Sequence, residues 1–559
     1  MKILHNHLGY QNKARKVALI QCSDALTASR FTLYNVANRL AVFAGTLTPC
    51  GGINQWRDWQ YWEADFSQLT DTGSYFLQLD GSTPTLQTPA FSIAPVVYGP
   101  QLISNLLHYF KSQRCTGMFD QGDRSCLKFG SQDRVDVHGG WFDASGDASK
   151  YLSHMSYTNF MNPQQIPQVI WNLIDGRERM PMQSTWLDDR IVDEATHGAD
   201  FLIRMLDADG YFYMTVFDRW SKDISQREIC SYTTQKGHKF ATYQAGYRQG
   251  AGSAIAALAR ASALPRAGEY GSLVYLAAAE RAFAHLEQHN LSYLDDGEEN
   301  IIDDYCALLA ATELVAATNK VEYIQAAELR AARLINRQTE AGWFWANDAK
   351  TRSYFHAAEA GLPLIALTRY LHVLPDSPLV PLVRECLRRA LQHEINHTRG
   401  ANPFSYPRQY VQMPGQTGRS QFFIPHDNES GYWWQGENAR LASLASAALG
   451  IREYFLDEPG FCGALNNYAQ NALNWIFGFN PFDACMMQGH GHNNPRYETG
   501  MWNAPGGVCN GITSGLDNEQ DIDFKAPQDS ESFHSWRWSE QWLPHGAWLF
   551  HALAQQPLE

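Results

Sequence analysis

Near residue 95 the hydrophobic pattern changes its period, and this restricts the fold more than any other feature of the chain. Up to that point, short β-branched or aromatic runs such as "KVALIQC", "RFTLYNV", "LAVFAGTL" and "GSYFLQL" are separated by turn residues. They predict a small β-sandwich over residues 1–95. Beyond it, apolar residues recur three and four apart. In "LDDRIVDEATHGADFLIRML", Ile191, Ala195, Ala199, Leu202 and Leu206 mark one face, with Asp188 or Asp189 as the expected cap. Comparable stretches ("GAGSAIAALARASAL", "DDYCALLAATELVAAT", "NARLASLASAALGIREYF") bring the count to about a dozen helices, many rich in alanine. Paired helices wound into a toroid fit this better than a bundle. Two domains are expected, 1–95 and 96–559, with Pro95 to Pro100 as a hinge.

A formal charge of −14 argues against nucleic acid and anionic membrane as partners, since both need a basic footprint. The N-terminal stretch has no apolar leader pattern and no apolar run is long enough to span a bilayer, so a cytoplasmic location is expected. Ten cysteines lie scattered without a CxxC pair and read as free buried thiols. Seventeen tryptophans and 26 tyrosines supply flat rings of the kind that stack on sugars, or fill a large core.

Four stretches carry candidate chemistry. In "HGGWFDASGDASKYLSH", Asp143 and Asp147 lie four apart behind Trp141 and Phe142. They read either as a turn and a cap for a following helix, or as two carboxylates positioning one water, with Gly146 free to take a positive φ between them. In "SWRWSEQWLPHGAWLF", Glu540 stands among four tryptophans, a setting that should desolvate it and raise its pKa as a general acid requires. A carboxylate pair on one side and a protonated acid on the other is the layout of an inverting glycosidase. "HDNESGYWWQGENARLASLA" places Asp427 and Glu429 beside Trp434, a possible subsite floor with acids for hydroxyls or an ammonium. "GHGHNNPRY" holds His490 and His492 two apart without an evident third ligand, so a polar loop at the mouth of a site is expected rather than a metal centre. No cofactor is expected.

These motifs together resemble glycoside hydrolase family 9. "NHLGYQNKARKVALI" is similar to the opening of the immunoglobulin-like module that precedes many catalytic domains of the family. "HGGWFDASGDASKY" is similar to its GGWYDAGDYxKY block. "VDEATHGADFLIRMLDADGYFY", "GSAIAALARAS" and "DDYCALLAATEL" look like its helices. "GFNP…GHG" is similar to its GxNP…GxG block, and Glu540, followed by Gly546 and Ala547, to its terminal acid block. The resemblance implies a mainly α fold, an (α/α)6 barrel after the immunoglobulin-like β-sandwich. It implies Asp147 as base, Asp143 as its water-positioning partner, Glu540 as acid, and Tyr151 lining the site. Two departures stand out. DASGD replaces DAGD, which leaves open which aspartate faces the water. The HHR stretch of the family's cellulases is missing, with Arg496 as its nearest substitute. In a cytoplasmic setting this resembles the exo-β-D-glucosaminidase branch, in which Asp143, Asp427 and Glu429 would receive an amino group. The alternative within the family is a β-glucosidase or a cellulase trimming cello-oligosaccharides. A sugar phosphorylase would need a basic phosphate pocket facing Glu540, and a binding protein would have lost one of the three acids.

Overall fold

A computed structural model of the chain describes residues 1–24, 26–180, 184–233, 236–431, 435–515, 518–524 and 534–556. Trp434 lies outside the described residues.

The N-terminal domain is a sandwich of two sheets. Strands β1 (Lys2–Leu4), β2 (Tyr10–Gln11), β3 (Val17–Cys22), β4 (Arg30–Asn35), β5 (Ala41–Thr46), β6 (Thr48–Gly52), β7 (Gln60–Asp65), β8 (Gly73–Leu79), β9 (Leu86–Gln87) and β10 (Phe91–Ala94) form it. One sheet has the order β1-β3-β7-β6, the other β2-β10-β8-β4-β5 with β9 beside β8. β3 is buried at all six positions, which is why its sequence shows no alternation. Ala18 and Ile20 face the sandwich core. Val17 and Leu19 face the other way and join the core of the second domain, as do Ile53, Trp56 and Tyr61. A strand with both faces covered reads as a continuous apolar run.

The segment expected to be a hinge is pinned. Tyr98 is buried, and its hydroxyl accepts from Asn6 and Gln470, each at 2.9 Å. The Trp56 indole donates to the Gln520 carbonyl at 3.0 Å. The two domains therefore share a core rather than swing about Pro95 to Pro100.

The second domain is a closed helical ring. Its helices are α1 (Pro100–Ser112), α2 (Gly117–Asp123), α3 (Ile166–Arg179), α4 (Thr185–Arg204), α5 (Ala251–Ala261), α6 (Ser272–Tyr293), α7 (Ile301–Thr318), α8 (Val321–Asn336), α9 (Leu362–Val373), α10 (Val380–Thr398), α11 (Asn438–Gly450), α12 (Pro459–Ile476), α13 (Trp536–Ser539) and α14 (Leu543–Ala554). Around the inside run α3, α5, α7, α9, α11 and α14, each packed on the next, with α14 returning to α3. Outside them lie α4, α6, α8, α10, α12 and α1 in the same order. This is the expected toroid, with the closure that periodicity alone could not supply. Inner helices are covered on both faces; all eleven residues of α5 are buried, and charges such as Arg260 of α5 are paired with acids of neighbouring helices. α4 starts at Thr185 after Ser184, one turn before the expected caps, and Asp188 instead pairs with Arg177. No described helix is long and apolar enough to cross a membrane, and all ten cysteines are free thiols.

A small sheet stands in the loops that connect the ring. Strands β11 (Cys126–Lys128), β12 (Arg134–Val135), β13 (Lys150–Tyr151), β14 (Thr215–Phe217), β15 (Glu228–Tyr232) and β16 (Lys239–Phe240) form it in the order β12-β11-β15-β14-β13, with β16 beside β15. The helix expected after Asp147 is absent. Lys150 and Tyr151 pair with Val216 and Thr215 as a strand instead. That strand anchors one end of the aspartate loop.

Candidate active site

The aspartate loop is built on a buried ion cluster. Lys150, fully buried, bonds Asp123 at 2.7 Å and donates to the carbonyls of Val137 and Gly139 at 2.6 and 2.9 Å. Arg227 grips the same Asp123 at 2.6 Å and donates to the Ala148 carbonyl at 2.7 Å. Burial alone would raise the Asp123 pKa, but Lys150 and Arg227 hold it below the usual range. Gly139 and Gly140 take positive φ of 83° and 72°, the sharp turn expected of them.

The loop then pairs with a segment almost 400 residues away. The Leu543 N–H donates to the Asp143 carbonyl (3.1 Å), Ser145 N–H to the Gln541 carbonyl (2.8 Å), and Gln541 N–H to the Ser145 hydroxyl (3.0 Å). This short ladder brings Glu540 against Gly146. Gly146 is needed for space, not for the expected positive φ. A Cβ there would lie 2.4 Å from Glu540 Oε1, and its N–H bonds the Glu540 carboxyl. The extra residue in DASGD is absorbed by a tight turn in which Asp147 N–H meets the Ala144 carbonyl at 3.2 Å. Both aspartates stay together: one oxygen of Asp143, one of Asp147 and one nitrogen of His154 lie within 4.8 Å of one another.

The three carboxyls have different surroundings. Asp147 Oδ1 accepts the Ser149 N–H at 2.8 Å, and Oδ2 accepts the Tyr151 hydroxyl at 2.7 Å. Asp147 therefore caps no helix but closes a local side-chain turn. Burial and then the charge of buried Asp218 push its pKa up to about 6, against those hydrogen bonds. Among the described residues, Asp143 takes the Trp542 indole N–H alone, 3.1 Å from both oxygens. Burial, then Asp147 and Glu540, drive its pKa well above the carboxylate range. Glu540 is half-buried, and burial followed by Asp147 raises it to about 8, against the charge of Lys222 and hydrogen bonds from Gly146 and Asn510.

Other expected site residues sit elsewhere. Trp141 is fully buried, its indole donating to Glu194 at 3.2 Å; a ring with no exposed face is core, not a sugar platform. Tyr151 is equally buried and acts on Asp147 rather than lining the cavity. Glu429 is neutralised by buried Arg352, with one bond at 3.0 Å, so it is not a free acid for an amino group. Asp427 is exposed. His490 bonds Asn105 of α1 at 2.9 Å, and Arg496 is exposed.

His492 goes its own way. It stacks on His7 (centroids 3.5 Å apart), and both donate toward Asp483, at 3.2 and 3.0 Å. His5, His7 and Asp483 are grouped as metal ligands are. Yet the His492 backbone N–H meets His7 Nδ1 at 3.3 Å, so Nε2 carries the proton and gives it to Asp483. The group reads as a latch between the domains.

Sequence reading missed His154, Asp218 and Lys222. No motif assigns them a role, although His154 closes the stretch that holds the aspartates; they reach the site through β13–β15 pairing and the loop after β14. Lys222 lies over the Trp502 ring at 4.3 Å and bonds the Gly500 carbonyl.

Known proteins share these features. Residues 100–503 match the family described as glycosyl hydrolase family 9, and residues 1–84 match the cellulase N-terminal ig-like domain. A xyloglucan-specific endo-β-1,4-glucanase of Bacteroides ovatus is 23% identical over 374 residues, 60% of each chain; the match thus spans less than two thirds of that relative. Among solved structures, a metagenome-derived family 9 endoglucanase superposes with a TM-score of 0.69 at 18% identity, covering 99% of this chain and 98% of its own. A family 9 protein of Bacteroides ovatus gives 0.66 at 20% identity, covering 99% and 98%. At these identities the structures attest the fold.

Proposed function

The chain belongs to glycosyl hydrolase family 9, and from that premise we propose that it hydrolyses β-1,4-linked gluco-oligosaccharides with inversion, Asp147 serving as base and Glu540 as acid. The observation that carries this is the ladder between residues 143–145 and 541–543, which sets an acid with a pKa of about 8 against a base of about 6. At neutral pH the first keeps its proton and the second has lost it, as the two roles demand. Burial, Asp147 and Glu540 drive the Asp143 carboxyl upward, which favours it as the holder of the water and Asp147, with its bonds from Ser149 and Tyr151, as the base.

In the step itself, a water oxygen attacks the anomeric carbon as the bond to the leaving oxygen breaks. The water proton passes to Asp147, and Glu540 protonates the leaving group. The product is the α-anomer, and the two acids exchange protons with solvent to reset.

For the substrate, the endoglucanases among the relatives, one of them xyloglucan-specific, favour a β-1,4-glucan over an amino sugar. The cation of Lys222, which acts on both Glu540 and Asp147, opposes an ammonium nearby. The glucosamine reading loses Glu429 to Arg352. It keeps one specific support: exposed Asp427, which has no hydrogen bond or ion pair among the described residues. Incubation with cello-, xyloglucan- and chitosan-type oligosaccharides, with and without phosphate, separates these readings by NMR of the first-formed anomer. We expect α-product from glucans without phosphate. Release of glucosamine alone selects the second reading; a need for phosphate, or retention, rejects both.

The packing of Gly146 on the acid gives a second expectation. In Gly146→Ala the new Cβ, 2.4 Å from Glu540 Oε1, must push the acid aside. A displacement of about 1 Å costs on the order of 100-fold in rate. The backbone itself needs no left-handed conformation, so the melting temperature should change little. A variant with wild-type kcat/KM would show that the acid does not work from this position.

A further inference from the structure

The hydrolase reading leaves His154 without a role, yet its ring is more tightly fixed than the base. Nδ1 is met from inside by the Met155 backbone N–H at 2.9 Å, which is shared with the Tyr232 hydroxyl at 3.1 Å, and by that hydroxyl itself. A backbone N–H can only donate, so Nδ1 accepts and the ring proton sits on Nε2. Met155 holds a left-handed φ of 60°, a strained conformation for a side-chain-bearing residue, next to the peptide whose N–H meets the ring. Burial pushes the imidazole down to about 3, so it stays neutral. The ring plane is set by stacking on Tyr151, with centroids 4.4 Å apart and planes 8° apart. Tyr151 is the residue that gives its hydroxyl to Asp147.

Nε2 faces the carboxyls from a side chain that keeps 15% exposure, 3.9 Å from Asp143 Oδ2. That is too far for a direct hydrogen bond and short enough for one oxygen between them. With one atom of each of Asp143, Asp147 and His154 within 4.8 Å of the others, some point lies no more than about 2.8 Å from all three, a hydrogen-bond length. The Nε2 proton bars a cation from that nitrogen, so the triangle suits an oxygen that both donates and accepts.

We propose that His154 is a third holder of the attacking water, donating Nε2–H to it while the water directs its two hydrogens to Asp143 and Asp147. One lone pair then remains for the anomeric carbon. This rests on the hydrolase reading above and adds a residue to it. His154 keeps its proton throughout; the proton lost by the water goes to Asp147.

The test compares His154→Phe, which keeps a ring to stack on Tyr151 but has no N–H, with His154→Gln, which keeps an N–H donor. In the phenylalanine variant, kcat on the preferred oligosaccharide should fall roughly 30- to 100-fold, in the range of a lost polar contact to the reacting atoms. KM should hold within about threefold. The glutamine variant should recover to within about tenfold of wild type. In both, the acidic limb of the pH–rate profile near 6 should stay, because Tyr151 still serves Asp147. A rise in KM alone would make His154 a sugar contact and overturn the proposal, as would unchanged kcat or a shift of the acidic limb that accounts for the loss. If the phenylalanine variant does not fold, His154→Met takes its place against His154→Gln with the same expectations. Wild-type protein that hydrolyses with inversion while these variants are unaffected rejects only the role of His154; absence of inversion in the wild type rejects the parent reading as well.

Discussion

Asp147→Asn is expected to lower turnover of a gluco-oligosaccharide by about 10³–10⁴-fold, the upper range for a lost general base. The asparagine keeps the volume, its oxygen still accepts the Ser149 N–H that meets Asp147 at 2.8 Å, and its NH2 takes the place of Oδ2 and donates to the Tyr151 hydroxyl, which reverses its role. Binding and stability should therefore hold while the proton acceptor is gone. Azide needs no deprotonation, so it should restore turnover on an aryl β-glycoside and yield the α-glycosyl azide. Asp143→Asn makes the sharper comparison. The Asp143 carboxyl is driven upward by burial and by its two acidic neighbours, which disfavours it as the proton acceptor. Its replacement should cost only about 10- to 100-fold, through the arrangement of water rather than loss of a base. The reverse order of the two variants, with azide rescuing Asp143→Asn, would exchange the roles.

Much of this arrangement is legible in the sequence, and the parts that are not share one cause. The change of period at residue 95, the alanine-rich inner helices and the three acids are local patterns, and the structure places them in one molecule as expected. What failed depended on partners distant in the chain. Asp147 looked like a helix cap because a following apolar stretch resembled a helix; pairing of Lys150 and Tyr151 with Val216 and Thr215 overrode that preference. Trp141, beside the aspartates, is a substrate-binding candidate on sequence, but its indole is spent on Glu194 of α4. Glu429 looked like a free acid because its partner is not in its own stretch, whose Arg440 bonds Glu437 instead; that partner, Arg352, is 77 residues away. His154 closes the same stretch as the two aspartates, but its role follows from which ring nitrogen the Met155 N–H blocks, and no pattern in the sequence shows that.

Glu540→Gln carries the other large effect, and three readouts of it must agree. On an oligosaccharide, whose leaving alkoxide is a strong base, kcat should fall by about 10²–10⁴-fold. On a dinitrophenyl glycoside, whose leaving group needs no proton, it should fall little. The alkaline limb of the pH–rate profile, expected near 8 from the raised Glu540 carboxyl, should vanish with the residue. Stability supplies the independent check. The folded-state pKa of Glu540 is raised above its ordinary value of 4.5, so between the two the unfolded chain binds fewer protons than the native one. Wild-type stability from this group is then full below the unfolded pKa and is lost as pH rises through the folded one. Glutamine has no proton to lose and still meets the Gly146 N–H. The variant should therefore match wild type near pH 4 and exceed it increasingly up to pH 8 to 9. The gain should be on the order of 1–2 kcal/mol after discounting for partial exposure. Such a stability gain without a loss of activity would place a buried acid at this position but give the proton donation to another group. A loss of activity without the stability gain would mean that the acid is not desolvated, and that its working pKa comes from the bound sugar rather than from the ladder beneath it.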